Sequence, residues 1–125
     1  MKKKRILVLG SNGQIGDYLC KYLTKKKYKV KKIDLTINTN HDLRIKNNKL
    51  LIKNVKLSDY IFFLAFDVGG SRYLKKYQNK YEFLDNNLKI MINTFDILAK
   101  FKKKFLFASS QMSNMTYSNY GLLKL

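Results

Sequence analysis

Apolar residues cluster along the chain in short continuous runs that alternate with longer stretches of helical spacing. Residues 4–9 (KRILVL) form a nearly continuous apolar run that leads into glycine, as in strands buried on both faces of a parallel sheet. Residues 28–35 alternate in part and predict a second strand, with Asp34 at its end. Residues 59–66 (DYIFFLAF) predict the most deeply buried strand of the chain, and residues 103–109 predict another.

Helical spacing first appears after a glycine-rich turn, from Gln14 onward. The apolar positions that predict this first helix are Ile15, Tyr18, Leu19, Tyr22 and Leu23. The basic run 25–27 suits the negative end of its dipole. Residues 50–57 predict a short helix, and residues 120–125 the first turns of a last one. A long amphipathic helix is predicted by Leu84, Leu88, Met91, Ile92, Phe95 and Leu98.

Alternation of strands and helices predicts the fold class. It is α/β, a Rossmann-like, doubly wound parallel sheet with helices on both faces and right-handed crossovers. The polar segment 36–48 leaves room for a short third strand at most, and the usual helix between the second and third strands is expected to be reduced. A chain of 125 residues holds one domain, because at this length it buries about two thirds of its unfolded surface. We therefore expect residues 1–125 to form a single domain.

Composition narrows the setting of this domain. The longest apolar run, residues 60–66, is far shorter than the roughly 20 residues that cross a bilayer, so no membrane partner is expected. The apolar stretch 6–9 is too short for a signal peptide. The single cysteine, Cys20, excludes an intrachain disulfide and fits a cytoplasmic location. The only histidine, His41, has no second His or Cys at ligand spacing, so no metal site is expected.

The formal charge of +18 raises nucleic acid as a partner. All but three of the 26 cationic residues are lysines, and they lie in scattered runs at the predicted ends of elements. Arginine, which reads guanines and phosphates by its forked geometry, is scarce. We therefore expect no specific nucleic-acid site, only salt-sensitive attraction to polyanions.

A glycine-rich turn, GSNGQIG, joins the first predicted strand to the first predicted helix. Glycine lets a backbone turn tightly and approach a pyrophosphate, and the free amides at the start of the helix receive its charge. The residues of this turn that we expect to bind a dinucleotide are Gly10, Asn12, Gly13, Gln14, Ile15 and Gly16.

Asp34 follows Gly16 by 18 residues and ends the second predicted strand. An acidic side chain at this place accepts the adenosine ribose hydroxyls and repels the additional phosphate of NADP, so NAD is the expected cofactor. The alternative is a glycine-rich connector followed by a chance aspartate.

Together, these features resemble the extended branch of the short-chain dehydrogenase/reductase superfamily, and within it the NAD-dependent sugar-nucleotide epimerases and dehydratases. The GxxGxxG spacing carries the resemblance first. The sequence HDLR then resembles the family's Asp-Leu pair, which implies that Asp42 and Leu43 contact adenine. The stretch LAF, followed by the Gly69-Gly70 pair, is similar to the family's LAA…GG and implies that Leu64 and Ala65 border the cofactor.

The distal part of the chain continues the resemblance. Asn86-Asn87 and Asn93 resemble the family's asparagine pattern, and FASS, ending at Ser110, resembles its strand with a Ser-Ser pair. Tyr120 and Lys124 then form YxxxK. Residues four apart share one helix face, so the ammonium is expected beside the phenol, where a cation lowers the phenol pKa from about 10.

The resemblance implies a role for each of these last residues. Tyr120 exchanges a proton with a sugar hydroxyl, Lys124 also holds the nicotinamide ribose, and Ser110 hydrogen-bonds the reacting oxygen. A bare YxxxK also arises by chance in a chain rich in lysine and tyrosine, so its order behind the other motifs is what gives it weight.

Relatives of this kind continue well beyond the YxxxK motif, so we expect the chain to be truncated there and to lack a substrate lobe. Two hypotheses follow. The first is the NAD-binding portion of an enzyme acting on a nucleotide sugar, completed by a complementary C-terminal fragment or assembled as a homodimer. The second is a non-catalytic dinucleotide-binding module.

Overall fold

A computed structural model describes residues 3–67, 71–109 and 118–124. Its strands are β1 (Arg5–Leu9), β2 (Lys29–Ile33), β3 (Tyr60–Phe63) and β4 (Phe105–Phe107). Its α-helices are α1 (Gln14–Lys25), α2 (Lys49–Leu57), α3 (Ser71–Tyr77), α4 (Tyr81–Lys100) and α5 (Asn119–Lys124), with a 3-10 turn at Thr39–His41. The expected alternation of strands and helices is therefore present.

All four strands belong to one parallel sheet in the order β2-β1-β3-β4. In its register Val8 of β1 lies opposite Lys32 on one side and Phe62 on the other. Because the strands are parallel, their carboxyl ends lie at one edge of the sheet, where the glycine turn and Asp34 follow β1 and β2. The predicted Rossmann-like α/β class is confirmed.

Helices cover both faces of the sheet. One face packs Leu7 and Phe63 against α2 and α4 in the larger of the two buried clusters. The other face packs Ile6 and Val8 against Cys20 and Leu23 of α1. None of the helices among the described residues is long and apolar enough to cross a membrane.

The prediction that β3 is the most deeply buried strand is wrong. Four of the five β1 residues are buried, whereas β3 alternates between half-buried and buried positions. The reason is the position of α1, which packs over β1 and β2. Tyr60 and Phe62 lie on that face of the neighbouring strand and stay partly open, while Ile61 and Phe63 face α2 and α4.

The predicted apolar face of α1 is correct only in part. Leu23 is buried and Leu19 packs against the same cluster, as expected. Tyr18 is 73% exposed and Ile15 is 70% exposed, whereas Gly16, Cys20 and Leu23 are the buried positions. A Cβ built on Gly16 would lie 2.1 Å from the carbonyl oxygen of Gly10. This close approach fixes the rotation of the helix about its axis and overrides the apolar periodicity.

In α4 the predicted stripe is displaced as well. Leu88 is 45% and Ile92 58% exposed, while the polar residues Asn87 and Thr94 are fully buried. Asn87 is buried because its side chain bonds backbone atoms of Asp67 and Phe83. A polar anchor for the chain after β3 therefore takes the place of an apolar contact.

Two other segments differ from expectation. The short third strand allowed within residues 36–48 does not form; that stretch holds only the 3-10 turn before α2 begins. Asn48 organises it by donating to the carbonyls of Asn40 and Asp42 while its oxygen caps α2 at the Leu51 amide. The helix α3 was not predicted, because its sequence SRYLKKY lacks an apolar stripe.

We expect Leu23→Ala to destabilise the protein by about 2–5 kcal/mol, because it removes a buried side chain from the α1 face of the sheet. Tyr18→Ala, the matched control on the same helix, should change the free energy of unfolding by no more than about 0.5 kcal/mol. Urea denaturation of both variants measures the difference. Equal losses would contradict the helix rotation described above.

Candidate functional site

A cavity of about 400 Å³ opens at the carboxyl ends of β1, β2 and β3. The predicted site residues that line it are Gly10, Gly13, Asp34, Asp42, Leu43, Leu64 and Ala65. Asn12, Gln14, Ile15 and Gly16 belong to the adjoining turn and the first turn of α1. The structure therefore brings together the cofactor-binding residues proposed from the glycine turn, the acidic residue and the LAF stretch.

The three glycines of the turn serve different purposes. Gly10 has φ +84°, and a Cβ there would lie 2.8 Å from the backbone nitrogen of Ala65, just after the end of β3. At Gly16 a Cβ would overlap the Gly10 carbonyl. At Gly13 the nearest atom would be 3.4 Å away, so packing within the chain does not demand glycine there. Gly13 instead keeps the wall of the cavity free of a side chain.

The amino terminus of α1 is suited to an anion. Its N-cap, Gly13, offers no side-chain cap, and the first-turn amides of Gln14, Ile15 and Gly16 have no acceptor within the helix. Ser11, in the same turn, is 1% exposed, and its hydroxyl has no hydrogen-bond partner among the described residues. A phosphate-bearing ligand fits this donor set.

Asp34 links the glycine turn to the end of β2. Its Oδ2 accepts from the backbone amide of Asn12 at 2.9 Å. Its Oδ1 accepts from the backbone amide and the hydroxyl of Thr36, at 3.0 and 2.8 Å. Burial raises the pKa of Asp34, but the hydrogen bonds from Thr36 and Asn12 outweigh it and lower the pKa overall. Asp34 is therefore an acceptor-only carboxylate at neutral pH.

His41 supports Asp34 from behind. The Asp34 amide donates to Nδ1 of the imidazole at 3.2 Å, which requires that nitrogen to be unprotonated. Burial, helped by the charge of Lys31, lowers the pKa of His41 below its ordinary value. The neutral ring therefore fixes the 3-10 turn against β2 on one side of the cavity.

A hydrogen-bonded network lines the opposite side. Arg44 donates to both carboxylate oxygens of Asp42, at 2.9 and 2.8 Å, and to the side-chain oxygen of Asn86 at 3.1 Å. Asn86 donates in turn to Asp67, which also accepts from the Tyr73 hydroxyl. The hydrogen bonds from Arg44 lower the pKa of Asp42. The hydrogen bond that the Tyr73 hydroxyl donates to Asp67 raises the pKa of Tyr73 to about 12.

Much of this network was not among the predicted site residues. Arg44, Asn86 and Asp67 all line the cavity. The one available signal was the pair of asparagines in the amphipathic helix α4, since a polar residue on a buried face needs a partner. Asn93, about two helical turns farther, donates to the carbonyls of Leu43 and Arg44 and so ties that segment to α4.

Tyr120 and Lys124 lie on α5, but the expected contact between ammonium and phenol is not formed among the described residues. The Lys124 nitrogen donates to the carbonyl of Ala108 at 2.6 Å and lies over the rings of Phe66 and Phe107, 3.9 and 4.6 Å from their centroids. Burial lowers its pKa to about 8. The aromatic contacts and the carbonyl hold the ammonium beside the end of β4.

Tyr120 itself packs its ring edge-on against Phe66, with centroids 5.9 Å apart. Ser110, the third predicted catalytic residue, lies outside the described residues. Within residues 3–67, 71–109 and 118–124, no group of three His, Cys, Asp or Glu side chains is arranged to hold a metal ion.

Comparison with known proteins places these features in context. The profile of the NAD dependent epimerase/dehydratase family matches residues 6–118. No curated protein matches the chain significantly in sequence.

Several solved structures share the fold. A GDP-L-fucose synthetase from Naegleria fowleri bound to NADP superposes with a TM-score of 0.74 at 20% identity, covering 99% of this chain and 45% of that one. A UDP-glucose 4-epimerase from Bifidobacterium longum in complex with NAD+ and UDP gives 0.74 at 18% identity, covering 97% and 46%. A GDP-mannoheptose C4 reductase from Campylobacter jejuni with NADP bound gives 0.75 at 19%, covering 99% and 45%. The chain thus spans less than half the length of these three proteins.

We expect Gly16→Ala to destabilise the fold by about 3 kcal/mol or more, because its methyl group would overlap the Gly10 carbonyl. The backbone would have to move to relieve this overlap. Gly13→Ala, the matched control in the same turn, should cost about 1 kcal/mol or less. Thermal unfolding of the two variants measures both changes. A Gly16→Ala protein as stable as the wild type would show that α1 does not approach the turn as described.

Proposed function

Because the chain belongs to the NAD-dependent epimerase/dehydratase family, we propose that it is the NAD-binding portion of an enzyme that acts on a nucleotide sugar. The observation that carries this proposal is the assembly, at one edge of the sheet, of a glycine turn, an uncapped helix terminus and an ionised aspartate. Each meets a different part of a dinucleotide.

Residues of three segments would hold the cofactor. The amides at the start of α1, from Gln14 to Gly16, would receive the pyrophosphate, and the buried Ser11 hydroxyl would gain a partner close by. Asp34 would accept from the adenosine ribose. Asp42 and Leu43 would bound the adenine, with Leu64 and Ala65 forming the floor beside it.

NAD is favoured over NADP by the charge of Asp34. A 2′-phosphate near this carboxylate would bring two negative charges together in a partly buried site, which costs free energy. The one arginine that lines the cavity, among the residues described, is Arg44, and its guanidinium is engaged by Asp42 and Asn86. Because Asp34 repels the 2′-phosphate and the guanidinium of Arg44 is already engaged, neither side chain is arranged to receive it.

Catalysis would fall to Tyr120, Lys124 and Ser110. NAD, when bound, supplies a transient acceptor for hydride from the sugar. Tyr120 would exchange the proton of the reacting hydroxyl, Ser110 would hydrogen-bond its oxygen, and Lys124 would lower the phenol pKa and hold a ribose. In the present structure the carbonyl of Ala108 engages one of the three donors of the Lys124 ammonium, which leaves two donors for that role.

This same placement favours a second candidate, a non-catalytic dinucleotide-binding module. In that case Lys124 would serve permanently to fasten α5 to the sheet through Ala108 and the two phenylalanine rings. The two candidates share the cofactor site and differ only in whether the α5 residues act on a substrate.

We also propose a cytoplasmic location, with a homodimer or a complementary C-terminal fragment completing the enzyme. Lysines in the runs 25–27 and 102–104 are mostly exposed, and they precede β2 and β4, the two outermost strands of the sheet. Such scattered cations attract polyanions without reading base edges, so no specific nucleic-acid partner is proposed.

We expect the wild-type chain to bind NAD at least about tenfold more tightly than NADP, because charge-assisted hydrogen bonds to Asp34 contribute about 1.5–3 kcal/mol. Asp34→Ala should weaken NAD binding by a similar factor and narrow the gap between the cofactors. Asp96→Ala, an exposed position on α4, serves as the control for lost negative charge. Isothermal calorimetry measures all three proteins, and equal wild-type affinities for NAD and NADP would remove the selectivity argument.

We expect the chain alone to be inactive on GDP-, UDP- or dTDP-hexoses, because reacting atoms must be held about 3–3.5 Å apart and the described residues form no substrate lobe. A fusion to the carboxyl-terminal part of a related enzyme should restore turnover. In that fusion Tyr120→Phe should abolish turnover yet leave NAD affinity nearly unchanged. Turnover of the Tyr120→Phe fusion at the unmodified rate would favour the non-catalytic reading of α5.

A further inference from the structure

The Asp34 carboxylate has little hydrogen-bonding capacity left. A carboxylate offers about four lone-pair positions. In this chain Oδ2 accepts once, from the Asn12 amide, and Oδ1 accepts twice, from the amide and the hydroxyl of Thr36. A ribose that presents two neighbouring hydroxyl groups to Asp34 therefore meets one open position, on Oδ2.

The Thr36 hydroxyl is held by two polar contacts. It donates to Oδ1 of Asp34 at 2.8 Å and accepts from the side-chain nitrogen of Asn12 at 2.7 Å. Thr36 and Asn12 are both exposed, so neighbouring side chains do not force this arrangement. The hydroxyl thus bridges the loop after β2 and the glycine turn, across the carboxylate that would face the ribose.

We propose that the Thr36 hydroxyl occupies the position on Asp34 that a second ribose hydroxyl requires, and that Thr36 thereby limits how tightly the chain holds adenosine ribose. This inference rests on the proposed function, because it concerns the same cofactor site. Asp34 accepts a hydrogen bond from one ribose hydroxyl through Oδ2. Contact with the second ribose hydroxyl first requires the Thr36 hydroxyl to be displaced. Thr36 is a positioning residue that acts through Asp34.

A purely structural role for Thr36 has the opposite consequence. Its amide and the Ile37 amide, which donates to the Asp34 carbonyl, form the turn after β2. If the hydroxyl served only to stabilise this turn, its loss would loosen the site and weaken binding. The sign of the affinity change therefore separates the two roles.

The test compares the wild type with Thr36→Val, which keeps the shape of the side chain and removes the hydroxyl, and with Thr36→Ser, which keeps the hydroxyl. Calorimetry with NAD should show about threefold to tenfold tighter binding for Thr36→Val, because a competing hydrogen bond of about 0.5–1.5 kcal/mol is gone. Thr36→Ser should bind as the wild type does. Unchanged or weaker binding by Thr36→Val would overturn the proposal.

Two further readouts keep the test from depending on the NAD affinity of Thr36→Val alone. NAD analogues lacking the 2′ or the 3′ hydroxyl of the adenosine ribose should differ in the wild type, one binding almost as NAD does and the other about tenfold more weakly. In Thr36→Val both should bind more weakly than NAD. Equal losses for both analogues in the wild type would mean that Asp34 already reads both hydroxyls, and would refute the proposal.

The second readout needs no cofactor. Because the Thr36 hydroxyl lowers the pKa of Asp34, carbon-13 NMR titration should find a higher Asp34 pKa in Thr36→Val than in the wild type or Thr36→Ser. An unchanged pKa would show that the hydroxyl does not occupy Oδ1, and the proposal would fall. If the Asp34 pKa differs between the wild type and Thr36→Val but the wild type binds neither NAD nor NADP, the proposed function is refuted instead.

Discussion

The approach of α1 to the glycine turn is the constraint from which the rest of the site follows. At Gly16 the helix lies so near the Gly10 carbonyl that even a methyl group is excluded. This contact fixes the rotation of α1, so Cys20 and Leu23 face the sheet while Tyr18 faces solvent. It also fixes where the uncapped amides of the helix lie relative to β1 and β2. The anion-binding end of the helix and the packing of its middle are therefore consequences of one steric condition.

The sequence predicts features that depend on near neighbours. The run 4–9 predicts β1 and the spacing of the glycines predicts the turn, because each relation spans one strand or one turn. Asp34 is recognised by its place directly after the second predicted strand. The apolar face of α1 could not be read in this way. Ile15 and Tyr18 follow helical spacing as well as Leu23 does, and only the contact between Gly16 and Gly10 decides which of them is buried.

The less predictable half of the site depends on distant partners. Arg44 reaches Asn86 across 42 positions of sequence, and Asn93 reaches the carbonyl of Leu43 across 50. No local pattern contains these pairs, although buried asparagines in α4 signal that partners must exist. The contact between Asp34 and its near neighbour Thr36 could not be predicted for a different reason. Thr36 lies only two residues away, but exposed threonines are common in turns. Its importance is visible only in the structure, where its hydroxyl donates to Oδ1 of Asp34.

The proposed cofactor site and the proposed catalytic residues differ in how completely the chain determines their placement. The proposed cofactor site lies at the carboxyl ends of β1, β2 and β3, where hydrogen bonds among its own residues hold the polar groups in place. The proposed catalytic residues Tyr120 and Lys124 depend on α5, a helix of six residues, too short to be stable by itself. Asn119 and Tyr120 attach its first turn to residues 78–79 and to Phe66. Its last turn is attached by Lys124, whose buried ammonium exchanges water for two aromatic rings and one carbonyl. Desolvation lowers the pKa of Lys124 from 10.5 to about 8. The folded state thus binds this proton less tightly than the unfolded state does, and Lys124 opposes folding less as pH rises from about 8 toward 10.5. Lys124, the residue expected to assist the phenol, therefore lowers the stability of the fold through the burial of its charge, while its contacts help to dock α5.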